Sequence, residues 1–137
     1  MTHVLIVSAR FYPDIAETLE KSAQSALKKA GATWDLVDVP GAFEIPAAIG
    51  FALNNEKYDG FIALGCVIRG ETTHYDYVCS ESARGLMGLS LQHAAAIGYG
   101  ILTVENKAQA KKRLDKGTTA AQTCLRMIEL KRRFDVA

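Results

Sequence analysis

The chain has 137 residues, 49% hydrophobic and 23% charged, with a formal net charge of +1. That length suits one domain around one core. The near-zero charge excludes a strong electrostatic footprint for nucleic acid or an anionic membrane, and no apolar run reaches the roughly 18–20 residues that span a bilayer.

The opening Met1-Thr2-His3-Val4-Leu5-Ile6-Val7 has no basic stretch and runs straight into a strand-like segment, so it does not read as a signal peptide. Cys66, Cys79 and Cys124 are odd in number and widely spaced, with no CxxC or Cys/His metal pattern. Reduced thiols in a soluble cytoplasmic protein are expected, with packing as their ordinary role.

His3–Val7 is a short β-branched run that predicts a first strand. A helix is expected from about Asp14 to Ala30. Asp14 and Glu17 have the spacing of a capping box, and Ile15, Leu19, Ala23, Ala26, Leu27 and Ala30 form one apolar stripe. Gly31 stands where a helix commonly ends in a left-handed residue. Trp34–Val39 alternates and reads as a strand near a sheet edge. Pro40-Gly41 breaks it, and a helix follows from near Pro46 to about Asn54. Gly60–Ile68 is a continuous apolar run, the pattern of a strand covered on both faces. A polar loop, Arg69–Thr73, leads into a long helix from about His74 to Ala95. Gly98–Val104 is the fourth strand, and helices over about Asn106–Leu114 and Thr118–Phe134 close the chain. Strands alternating with helices argue for a parallel sheet with right-handed crossovers and helices on both faces.

In open parallel sheets ligands bind beyond the carboxyl ends of the strands, near the point where strand order reverses. That rule selects Ser8–Pro13, Pro40–Glu44 and Ile68–His74. The first loop holds Phe11-Tyr12, and the second holds Phe43 and Glu44 after a Pro-Gly turn. In the third, Gly70 permits close backbone approach, Thr72 and Thr73 offer hydroxyls, and a helix start attracts an anion. Helix capping by the threonines alone accounts for the same residues.

His74 is the only histidine at a strand carboxyl end, and an imidazole passes protons both ways near neutral pH. Glu44 suits a general base, an acceptor for sugar hydroxyls, or a helix-terminal charge. Phe11 and Phe43 suit stacking on a flat heterocycle, or packing.

Taken together these loops resemble the lumazine synthase family. The resemblance is carried by Val39-Pro40-Gly41-Ala42-Phe43-Glu44-Ile45-Pro46, by Gly65-Cys66-Val67-Ile68-Arg69-Gly70-Glu71-Thr72-Thr73-His74-Tyr75-Asp76-Tyr77-Val78, and by Gly100-Ile101-Leu102-Thr103-Val104-Glu105-Asn106. Two long motifs in the right order are a specific signal. The resemblance implies a single domain over residues 1–137, a flavodoxin-like three-layer α/β/α sandwich with a central four-stranded parallel sheet.

It implies a transferase of riboflavin biosynthesis that condenses 5-amino-6-(D-ribitylamino)uracil with 3,4-dihydroxy-2-butanone 4-phosphate, without metal or organic cofactor. Carried over by position, Phe11 would stack on the pyrimidine. Ala42, Phe43 and Glu44 would hold the uracil substrate, and Cys66, Val67 and Ile68 would line its pocket largely through backbone. Glu71 and Thr72 would bind the phosphate, and His74 would be the proton donor. Tyr99 matches an aromatic on the uracil side, Arg113 a phosphate-binding arginine, and Lys116 a nearby lysine.

Tyr99 opens the fourth strand and Arg113 ends the helix after it, which puts both toward the amino-end edge of the sheet, opposite His74. A site shared between subunits reconciles these positions. The resemblance implies such sites in a homopentamer, with possible association with riboflavin synthase and no nucleic-acid or membrane partner.

The sequence also departs from the family pattern. Only Leu114-Asp115 separates Arg113 from Lys116, where shell-forming members carry a longer glycine-containing turn, so a free pentamer, or a decamer, is expected over a closed capsid. Glu71 stands where a small residue is frequent, and a carboxylate near phosphate must point away or pair with a cation such as Arg69. Cys66 replaces a frequent threonine. The basic stretch Lys131-Arg132-Arg133 reads as solvated surface.

A flavodoxin-like carrier wants a Ser/Thr/Gly-rich phosphate loop after the first strand, where this chain has Ser8-Ala9-Arg10-Phe11-Tyr12-Pro13. A receiver domain needs clustered aspartates at the strand ends, which are missing. A non-catalytic relative binding lumazine or flavin is separated from an enzyme by a turnover assay.

Overall fold

The computed structural model describes residues 1–137. Strands β1 (His3–Ala9), β2 (Thr33–Val39), β3 (Gly60–Ile68) and β4 (Ile97–Val104) form one sheet in the order β2-β1-β3-β4. All three pairings are parallel. The helices are α1 (Pro13–Lys29), α2 (Ile45–Leu53), α3 (His74–His93), α4 (Lys107–Lys111) and α5 (Lys116–Arg133), with a single 3₁₀ turn at Ala42–Glu44.

From β1 the chain steps outward to β2, then returns across the sheet to β3 and β4. Right-handed crossovers therefore put α1 on one face and α2 and α3 on the other. α5 follows the last strand and returns to the face of α1. The period of two along each strand divides the core accordingly. Val4, Ile6, Ile62, Leu64 and Leu102 pack with Leu19 and Leu27 of α1 and with Ala121, Cys124 and Ile128 of α5. Leu5, Val7, Phe61, Ala63 and Ile101 pack with Ile45 and Ile49 of α2 and with Val78 and Leu86 of α3. This is the three-layer α/β/α sandwich expected. No helix is long and apolar enough to cross a membrane.

α5 lies very close to β4. A Cβ at Gly98 would stand 1.9 Å from the carbonyl oxygen of Ala120, so only glycine fits there. Gly31 closes the α1 region at φ +77°, as its position predicts.

Three local expectations are corrected. β1 extends to Ala9 because its pairing with β2 continues to Ala9–Val39. α1 begins at Pro13 behind Tyr12, and no side chain caps it, so Asp14 is a first-turn charge and not a cap. α4 is one short turn, started by Asn106, whose side chain accepts from the Gln109 amide at 2.9 Å.

Candidate active site

β1 and β3 are neighbours, but the chain leaves β1 toward one edge of the sheet and β3 toward the other. The crevice at their carboxyl ends is the reversal point where a ligand is expected. A cleft of ≈ 520 Å³ opens there. It is lined by Phe11 and Tyr12 after β1, by Pro40–Glu44 after β2, and by Cys66, Val67, Ile68, Gly70, Thr72, His74, Tyr75 and Val78 from β3 into α3.

The register explains the floor of this cleft. β1 pairs with β3 only as far as Ser8–Leu64, whereas β3 pairs with β4 on to Ile68–Val104. Beyond Leu64 the β3 backbone has no strand partner on its β1 side. The Arg69 amide donates to the Val104 carbonyl, so odd-numbered residues face β4, and the peptide groups of Cys66 and Ile68 face the open side, where they are available to a ligand. The Cys66 side chain is buried beneath them, and burial pushes its thiol up to about 11. A thiol held protonated is no nucleophile at neutral pH.

The walls are aromatic. Phe11 is 70% exposed and Phe43 53%, although both rings are apolar. Phe43 is held out by the 3₁₀ turn, whose Ala42 is buried. The Glu44 amide donates to the Gly41 carbonyl at 3.1 Å, and Glu44 Oε1 accepts from the Gly41 amide at 3.0 Å. One carboxylate oxygen of Glu44 thus closes its own loop, and its other oxygen makes no hydrogen bond within the chain.

His74 is the first residue of α3 and is exposed at the cleft. Its amide donates to Thr72 Oγ1 at 3.3 Å, while Thr73, the residue at the cap position, makes no side-chain cap. Capping by the threonines is therefore a single long bond, and the helix start keeps its affinity for an anion.

Arg69 is a cation beside this loop, but it is already engaged. Its Nε donates to Glu105 Oε2 at 2.8 Å and Oε1 at 3.1 Å, Nη1 lies 3.5 Å from Asp76 Oδ1, and the guanidinium sits 4.4 Å from the Tyr75 ring centre. Of the two arrangements expected for Glu71, pairing with Arg69 does not occur, because Arg69 is held by Glu105 and Asp76. Glu71 itself is exposed and does not line the cleft.

Tyr99, Arg113 and Lys116 lie elsewhere. They line a second depression of ≈ 430 Å³ along the outer edge of β4, with Leu102, Thr103 and Val104. Because α4 is so short, Arg113 and Lys116 stay alongside β4. They share the depression with Tyr99, which pairs with Ala63 in the amino half of β3. Arg113 Nη1 donates to the Gln109 carbonyl at 2.8 Å. The separation from His74 is nonetheless real, since none of the three residues lines the first cleft. That cleft has no lysine or arginine in its lining, and Glu44 is its one acid.

Tyr75 and Val78 line the cleft without having been singled out in sequence. Both fall on the His74 side of α3 at helical spacing, which is the signal that would have found them.

Comparison with known proteins adds an independent result. Residues 1–132 match the family model described as 6,7-dimethyl-8-ribityllumazine synthase. The chain is 55% identical to 6,7-dimethyl-8-ribityllumazine synthase 1 of Rhizobium meliloti, over 96% of this chain and 93% of that protein. It is 56% identical to the 6,7-dimethyl-8-ribityllumazine synthase of Bartonella tribocorum, over 96% and 91% of the two chains. Against the enzyme of that name from Agrobacterium fabrum it is 54% identical, over 96% of each. With loop motifs, sheet reversal and relatives in agreement, this chain belongs to the 6,7-dimethyl-8-ribityllumazine synthase family.

Proposed function

We propose that the cleft at the β1–β3 reversal condenses 5-amino-6-(D-ribitylamino)uracil with 3,4-dihydroxy-2-butanone 4-phosphate, releasing 6,7-dimethyl-8-ribityllumazine, phosphate and water. The observation that carries this reading is the union of His74 with Phe11, Phe43, Glu44 and an unpaired β3 edge in one cleft. The two rings stack on the pyrimidine, and the Cys66–Ile68 backbone reads its edge. Ala42 and Glu44 hold the ribityl side, Glu44 through the oxygen not committed to Gly41.

The amine of the uracil attacks the butanone ketone, and loss of water gives an imine. Phosphate then leaves, and ring closure releases a second water. His74 shuttles protons at the nitrogen, the carbonyl and the departing oxygens. Thr72, the backbone at Glu71 and the start of α3 receive the phosphate. The purified chain, mixed with both substrates, is expected to generate lumazine fluorescence. Binding of lumazine or flavin with no turnover would establish the non-catalytic reading instead.

The active unit on this reading is larger than one chain. A phosphate in a cleft with no cation of its own needs charge from outside. Arg113, with Lys116 beside it and Tyr99 below, supplies that charge from the β4 edge of a neighbouring subunit. A heterologous contact of this kind closes into a ring, and we take the ring to be a pentamer. The tight Arg113–Lys116 turn, closed by a bond from the Lys116 amide to the Arg113 carbonyl at 3.1 Å, favours a free pentamer or a decamer over a capsid. Sedimentation velocity measures this directly, and a particle of capsid mass would overturn it. The same reading places the chain in the cytoplasm, in keeping with its free cysteines, and makes riboflavin synthase, the consumer of the product, its candidate partner.

A further inference from the structure

Glu20 is a carboxylate within the apolar stripe of α1, flanked by buried Ala16, Leu19 and Ala23 and itself only 6% exposed. A buried acid is costly unless its charge is paired and its lone pairs are filled. Here both conditions are met. Ser8 Oγ, fully buried near the end of β1, donates to Oε2 at 2.5 Å. Arg10 Nε donates to the same oxygen at 2.9 Å, and Arg10 Nη2 donates to Oε1 at 2.9 Å. This two-pronged bond fixes the guanidinium plane as well as its distance. The backbone of Arg10 is fixed too, because its amide donates to the Val39 carbonyl at the end of β2 at 3.2 Å.

The next residue is Phe11. Its ring is largely exposed, and its aromatic neighbour is Tyr12, edge-on at 5.0 Å. A phenyl ring has no hydrogen bond with which to aim itself, so its direction is inherited from the backbone that precedes it. Ser8, Arg10 and Glu20 do not line the cleft.

We infer that the Ser8–Glu20–Arg10 clamp is the positioning device for Phe11, tying the β1–α1 loop to both β2 and α1 so that the ring stands where the pyrimidine substrate must stack. The inference rests on the stacking role given to Phe11 above. It assigns to an ion pair outside the cleft, a buried carboxylate held by a partly exposed arginine, a specific effect on one of the two substrates.

The test is steady-state kinetics with each substrate varied in turn, for Glu20→Gln, Arg10→Lys, Phe11→Ala and the Arg10→Lys/Phe11→Ala double variant. Glutamine keeps the shape of Glu20 but turns an N–H toward the guanidinium, and lysine keeps the charge of Arg10 but loses the fork. Each clamp variant is expected to raise KM for the ribitylaminouracil roughly three- to tenfold, with KM for the butanone phosphate held within about twofold. In the Phe11→Ala background Arg10→Lys is expected to add nothing further, because the ring it acts through is gone.

An unchanged uracil KM in a folded clamp variant overturns the inference, and so does an equal rise with and without the Phe11 ring. A merely structural clamp would lower thermal stability and leave the ratio of the two KM values where it was. If Phe11→Ala alone leaves the uracil KM unchanged, the stacking reading fails and the inference with it. If Phe11→Ala raises that KM while Arg10→Lys does not, only the clamp inference fails. Should Glu20→Gln not fold, Arg10→Lys and Ser8→Ala carry the test.

Discussion

At the amino end of the sheet His3 stacks on Tyr58 with ring centres 5.3 Å apart, and at the carboxyl end His74 stands exposed at the cleft. The surroundings of the two imidazoles are opposite in kind. Around His3 the polar groups answer one another. Its ring nitrogens meet Thr33 Oγ1 at 2.7 Å and Asp35 Oδ2 at 3.3 Å, and its amide donates to Asp59 at 2.8 Å. Asp35 Oδ2 also accepts from the Tyr58 hydroxyl at 2.8 Å and lies 3.1 Å from Lys57 Nζ. Around His74 only the backbone amide is engaged, while Phe11 and Phe43 are left uncovered. Groups that satisfy one another hold a fold together. Groups held out unsatisfied on a rigid frame are free for a substrate.

The comparison breaks most visibly at His74. His74→Ala is expected to lower kcat by about 100- to 10,000-fold, the usual worth of a positioned acid–base group, with the melting temperature close to native. A collapse of stability would move His74 into the same class as His3. Next in size is Arg113→Ala, expected to lower kcat/KM for the butanone phosphate roughly 10- to 100-fold through loss of a charged hydrogen bond. Mixed one to one with His74→Ala and reassembled, it is expected to regain about a quarter of native activity, because that share of sites draws both intact residues from different chains. Absence of recovery in confirmed mixed oligomers would leave the β4 edge without a role in catalysis.

At the other end the expected effects are smaller and fall on stability. Tyr58→Phe removes the hydroxyl bond to Asp35 and is expected to lower the melting temperature by no more than a few degrees, with kcat and both KM values native. A change in turnover would show that the two ends are coupled.

The smallest effect is on acid stability. The Tyr58 hydroxyl, the Lys57 ammonium and His3 hold the Asp35 carboxyl down from 3.8 to about 2. A lowered folded-state value means stability that is complete above 3.8 and lost as the pH falls toward 2. Asp35→Asn is expected to flatten the melting temperature across that window. An unaltered slope would show that this partly exposed cluster contributes nothing measurable.

Much of the site was legible because strand ends announce themselves. The uninterrupted apolar run Gly60–Ile68 marks the central strand, and the loop after it carries His74. Phe11, Phe43 and Glu44 followed from the same rule applied to β1 and β2, and all line one cleft. Contacts between distant side chains were not legible, because they depend on register and not on local pattern. Glu20 sits on an apolar face where periodicity expects a hydrophobe, and only the meeting of α1 with the end of β1 shows why an acid survives there. Arg69 could be assigned to Glu71 by proximity in sequence, yet Ile68–Val104 pairing brings Glu105 to it instead.

The missing cation at the His74 cleft has a consequence for the living cell. If the charge comes from a neighbouring subunit, as proposed, a newly made chain would stack a flat ring well but hold a phosphate weakly until it meets its siblings. Output would then climb more steeply than the amount of protein while copies are scarce, and become proportional once assembly is complete. Dilution of the purified material below its association range would silence it without unfolding a single molecule.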